Sequence, residues 1–113
     1  MQPEIIKEKI LPKKLQDHTD IFGDMVKVVV DIDQEIMSIG GEMHADGEAI
    51  LLENGSQQEN LWGANIYPEK SGDDHIEYTS LINIRPRAGN RSMEVQDKEI
   101  KKKIAVVINK LIP

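Results

Sequence analysis

The chain has 113 residues, 39% of them apolar and 30% charged, with a formal net charge of -6 and no cysteine. That length suits one soluble domain with one core, and the missing thiols exclude disulfides and thiolate metal sites. No apolar run approaches the roughly 20 residues needed to cross a bilayer, and "MQPEIIKEKI" lacks the apolar centre of a signal peptide. A cytoplasmic protein without a membrane partner is expected. Its acidic balance argues against nucleic acid, whose phosphates need a basic surface.

"EIIKEKI" (Glu4 to Ile10) reads as an edge strand. In "LPKKLQDHTDIFGD", Leu11, Leu15, His18 and Phe22 fall on one face of a helix, with Pro12 suited to its first position and Gly23 to the residue past its end. His18 on that face reads as a core-edge histidine with one hydrogen bond. "MVKVVVDIDQEIMSIGG" changes to a period of two: Val26, Val28, Val30 and Ile32 alternate with Lys27, Val29 and Asp31. A tight turn at Asp33-Gln34 returns the chain through Ile36 to Ile39 as a hairpin.

The stretch from Ala45 to Glu53 fits either a short helix or a strand. Strand is favoured for Glu48 to Glu53, because Gly47 weakens a helix and Asn54-Gly55 is a hairpin signal. "LWGANIYP" reads as a strand with Trp62, Ala64 and Ile66 on one face. Trp62 is expected in the core or, as the chain's one tryptophan, as an interface anchor. Gly63 between large neighbours suggests a close backbone approach. "HIEYTSLINIR" alternates as a strand with one packed and one wet face. After the "PRAGNRS" loop, Ile100, Ile104, Val107, Ile108 and Leu111 form a helical stripe, with Asp97 as N-cap, Glu99 and Lys103 paired, and Lys110 at the negative end. The expected fold is α+β: an antiparallel meander of four to six strands, its one face covered by helices from both ends of the chain.

The phrases "HADGE", "LLENGS", "LWGANIYP" and "INIRPRAGNRS" resemble a family of small prokaryotic proteins known only as a domain of unknown function. The resemblance implies a single domain spanning residues 1–113 and implies no activity.

Two constellations could carry chemistry. In "NIRPRAGNRS", a tight turn through Ala88-Gly89-Asn90 could gather backbone N–H groups into an anion-binding concavity. Arg85, Arg87 and Arg91 would supply bidentate donors, with Asn83 and Asn90 completing a small-anion site and Arg85 held most firmly at the strand end. In "HADGE", His44, Asp46 and Glu48 would share one face of a strand, as candidate acid/base groups. Iron ligation by His44 and Asp46 would need a second histidine. His18 sits on a helix face and His75 in a loop, so no metal and no cofactor is expected. Ser56 and Ser92 sit in no nucleophile elbow.

Charge is also uneven. Glu42, Asp46, Glu48, Glu53 and Glu59 occupy a middle stretch without a cation, while basic residues dominate from Arg85 to Lys103. These observations favour a small self-associating interaction module with an anion-binding loop over an anion- or phosphoester-processing enzyme using both constellations.

Overall fold

The structure is a computed structural model that describes residues 2–19 and 21–113. Five antiparallel strands form one sheet in the order β1-β3-β2-β4-β5, with β1 at Glu4–Ile6, β2 at Val26–Asp31, β3 at Ile36–Ile39, β4 at Leu61–Ile66 and β5 at Ile76–Glu77. The β2–β3 hairpin is closed by Asp31, whose carboxylate accepts from the N–H groups of Asp33 and Gln34. Strand β3 lies between β1 and β2, so the segment holding the first helix carries the chain from β1 past β3 to β2, and the first two strands are not neighbours.

Helices α1 (Pro12–Asp17) and α3 (Lys98–Leu111) belong to one face. There Val26, Val28, Val30, Met37, Ile39, Trp62, Ala64 and Ile66 pack against Leu15, Ile104, Val107, Ile108 and Leu111. Asp97 caps α3 as its position predicts, accepting from the Glu99 and Ile100 N–H groups. Glu99 pairs with Lys102, not Lys103. Helix α1 is shorter than the apolar spacing suggests. It stops at Asp17 with His18 as its C-cap, and the Thr19 hydroxyl donates to the Gln16 carbonyl in competition with a further turn. Leu15 and His18 are buried while Leu11 and Phe22 are exposed.

The largest departure from expectation is α2, a helix over His44–Glu53 where a strand was favoured. Both signals for a strand have another cause. Gly47 is required because the helix lies against the sheet: a Cβ there would fall 2.3 Å from the Ser38 hydroxyl. Asn54-Gly55 is a helix stop, with Gly55 at φ +100°, its N–H on the Leu52 carbonyl and the Ser56 N–H on Leu51. Helix α2 covers the sheet's second face, packing Leu51 on Val29, Ile36 and Leu61. That face was expected to be largely wet.

Residues 75–85 also depart from a single strand. Only Ile76–Glu77 is strand, followed by a bridge of Thr79 to Glu94 and by 3-10 turns at Leu81–Asn83 and Pro86–Ala88. Ser80 starts the first turn by accepting from the Ile82 N–H.

Candidate functional site

Where β5 ends, the outer side of β4 from Leu61 to Ala64 is left without a strand partner. Its odd-numbered residues turn their peptide groups outward, Asn65 to Glu77 of β5 and Gly63 to nothing in a strand. The side chain of Asn83 takes that place. Its Oδ1 accepts the Gly63 N–H at 2.8 Å and its Nδ2 donates to the Gly63 carbonyl at 3.0 Å and to Met93 at 3.1 Å. One amide thus imitates a strand residue. The approach is possible because residue 63 is glycine: a Cβ would meet Ser80 at 2.5 Å.

Arg85 continues the same device. Its Nη2 donates to the Leu61 carbonyl and its Nε to Ile82 at 3.1 Å, while the guanidinium stacks 4.7 Å over the Trp62 ring and lies 3.9 Å from Glu48. Burial pulls its pKa down and Glu48 opposes the shift. Asn90 is likewise spent inside the chain, donating to Asn83, Ser92 and Glu94 and accepting from Gln96. Arg85 and Asn90 also exchange backbone hydrogen bonds, and Gly89 turns the loop at φ +81°. The N–H groups of residues 85, 88, 89, 90 and 91 are therefore each bonded within the chain, the last to Gln96. The backbone cradle expected for an anion is filled by the loop's own acceptors. Of the three arginines, Arg87 and Arg91 are exposed.

The helical conformation of residues 44–53 rearranges the other constellation. At about 100° per residue, His44 and Glu48 share the inner face and Asp46 points to solvent. His44 is buried, with Nε2 donating to the Ala64 carbonyl at 2.8 Å, which leaves Nδ1 as the ring's acceptor. Burial lowers its pKa more than the Ala64 carbonyl restores it. Glu48 faces Arg85, so the two constellations do meet, but through a mutual ion pair and not around an open site. Ser56 donates to the Asp31 carboxylate, and Ser92 accepts from the Glu94 N–H. Neither is hydrogen-bonded to a histidine among the described residues. Among the described residues no group of His, Cys, Asp and Glu is arranged to hold a metal ion. Trp62 is 2% exposed, a core residue and not a surface anchor.

What remains open to a ligand on this side is a hollow of about 260 Å³ at the start of α2. Lys27, His44 and Asn65 line it together with Met43, Leu81 and Met93. Asn65 donates to Glu77 at 2.8 Å, while its Oδ1 is buried without a partner. The apolar lining is unusually wet: Met43 is 56% exposed, Leu81 68% and Met93 41%. The sequence hid this feature, because Met43, Leu81 and Met93 are distant in the chain and Leu81 reads as one step of a strand. Only the 3-10 turn after Ser80 brings it outward.

The family model for proteins of unknown function, DUF5674, matches residues 4–111. The chain belongs to this family. No curated protein and no solved structure matches the chain. The matched DUF5674 segment includes every residue of the Asn83–Gly63 and Arg85–Leu61 devices. No helix among the described residues is long and apolar enough to cross a membrane.

Proposed function

We propose that the protein is a small interaction module that pairs with a second copy of itself through the hollow at the start of α2. The observation that carries this reading is the ring of wet apolar side chains, Met43, Leu81 and Met93, around one concavity. Clustered exposed apolar surface of this kind marks an interaction site.

Exposed charges close in sequence to the apolar ring favour the same chain as the occupant. Exposed Glu42 adjoins Met43, and exposed Asp46 follows one turn later. Exposed Arg91 precedes Met93 by two residues, with Arg87 beyond it, and neither makes an ion pair among the described residues. In a two-fold pair, carboxylates of one copy would meet arginines of the other, the self-complementarity that an isologous interface uses. In this reading the anion taken by the 85–92 loop is a partner's carboxylate, held by Arg87 and Arg91. The enzyme alternative finds less support, because Arg85, Asn83, Asn90, His44 and Glu48 are all engaged with the chain itself.

Light scattering over a concentration series tests the proposal. The parent is expected to form dimers, Leu81→Glu to be monomeric, and Arg87→Ala with Arg91→Ala to weaken pairing most at low salt. A parent that stays monomeric at high concentration overturns it.

A further inference from the structure

We infer that the free edge of β1 is a docking slot for an extended acidic peptide segment of another protein, which joins the sheet as a sixth strand. The Gly40 N–H donates to the Lys27 carbonyl at 2.9 Å, which makes 27–40, and by steps of two 29–38, the directly bonded pairs of the hairpin. Met37 and Ile39 then turn their peptide groups to β1, where they meet Ile6 and Glu4. Ile5 lies between these two, so its N–H and carbonyl face away from the sheet. They have no partner among the described residues. An edge with free peptide groups is a template for one more strand.

The ground beside this edge is shaped for an occupant. The chain bends at Glu8 and returns into α1, anchored by the Ile10 N–H on the Leu111 carbonyl. The bend leaves a hollow of about 670 Å³ lined by residues 5–11 and by Lys13, Lys14 and Asp17. Ile5 and Ile6 are among its lining residues, and Leu11, 75% exposed, stands at the margin. In strand addition, main-chain hydrogen bonds give affinity and apolar pockets for alternate side chains give specificity.

Charge selects the occupant. Lys7, Lys9, Lys13 and Lys14 line the hollow against Glu8 and Asp17, on a chain whose net charge is -6. Lys7 and Lys9 make no ion pair among the described residues, and those of Lys13 and Lys14 are largely exposed and weak. Edge lysines discourage pairing with another copy of the same edge, since Lys7 and Lys9 would be drawn toward their own images. They welcome carboxylates. A bilayer would meet the same cations and Leu11, but a concave slot with an open peptide edge suits a strand better than a flat surface.

A labelled peptide of alternating valine and glutamate, its valine–lysine counterpart, and vesicles of phosphatidylcholine with phosphatidylserine serve as probes for the full chain. Saturable binding of the valine–glutamate peptide alone is expected, weakened about tenfold by Lys7→Glu with Lys9→Glu. Ile5→Pro separates strand addition from mere charge attraction, because a proline is tolerated where an edge N–H faces solvent but cannot donate to a guest strand. With an unchanged circular dichroism spectrum, Ile5→Pro should lose binding about tenfold or more. No binding of the acidic peptide, undiminished binding by Ile5→Pro, or binding to the anionic vesicles alone each overturns the inference. Self-association through the α2 hollow involves none of these residues, so the lysine variants should leave the oligomeric state unchanged.

Discussion

The two faces of the sheet are held by different chemistry. Under α1 and α3 the core is continuous and apolar, from Ile6 to Ile112. Under α2 a small apolar cluster of Val29, Ile36, Leu51 and Leu61 is surrounded by buried polar groups: Asp31, Ser38, His44, Asn65, Ser80 and Asn83. On the first face stability comes from area removed from water, which tolerates approximate shapes. On the second it depends on particular donors meeting particular acceptors, where a single loss leaves a buried group unpaired. Residues that look like chemistry in the sequence are spent on this second face.

The comparison makes a direct prediction. Ile108→Ala empties a fully buried site under α3 and should cost about 2–5 kcal/mol. Asn83→Ala removes far less apolar surface, yet strands the N–H and carbonyl of Gly63, and should cost on the order of 3 kcal/mol. Denaturant melts of the two variants decide the matter. An Asn83→Ala loss below about 1 kcal/mol would mean that water replaces the amide and that the polar face is not held as described.

The apolar face was legible in the sequence and the polar face was not, for one physical reason. Burial of a helix or strand face leaves a local period, and Val26-Val28-Val30, Trp62-Ala64-Ile66 and the α3 stripe all show it. The polar face is built from bonds between residues some 20 positions apart, such as His44 to Ala64 and Asn83 to Gly63, which leave no period. Gly47 and Asn54-Gly55 misled because each has a local meaning in a strand and a different one in a helix packed on a sheet. Gly63 was readable as a close approach, though what approaches it was not. The arginine loop was visible as a cluster, but sequence alone could not distinguish an arginine offered to a ligand from one bonded to Leu61.

Arg85→Lys sharpens that distinction. Lysine keeps the charge but loses the planar fork that reaches Leu61, Ile82 and the Trp62 ring together. A loss of about 1–2 kcal/mol is expected. It should be the same in phosphate and in phosphate-free buffer, because the guanidinium serves the chain. A loss that appears only when phosphate is present would return Arg85 to the role of an anion ligand. Melting curves in the two buffers read the difference.

The smallest effect expected is in pH, where the faces again differ. On the polar side, burial holds the His44 pKa below its ordinary 6.5, with Lys27 adding to the shift and the Ala64 carbonyl opposing it. As pH falls through 6.5 the unfolded chain accepts a proton that the folded chain resists, so stability declines from there toward the lower folded value. On the other side, the hydrogen bond from His18 and the nearby Lys14 hold Glu4 below its ordinary 4.5. This carboxylate's contribution is intact above 4.5 and fades only as pH falls further, through the lowered value. The Glu4 side chain is 41% exposed, so solvent screens it and its share is small. A melting-temperature profile should therefore begin to fall near pH 6.5 and fall again below 4.5. His44→Gln keeps a donor for Ala64 but cannot titrate, and should remove the first decline while leaving the second. Glu4→Gln should do the reverse. An unchanged upper decline in His44→Gln would show that another group governs it and that the buried imidazole is not where the polar face senses acid.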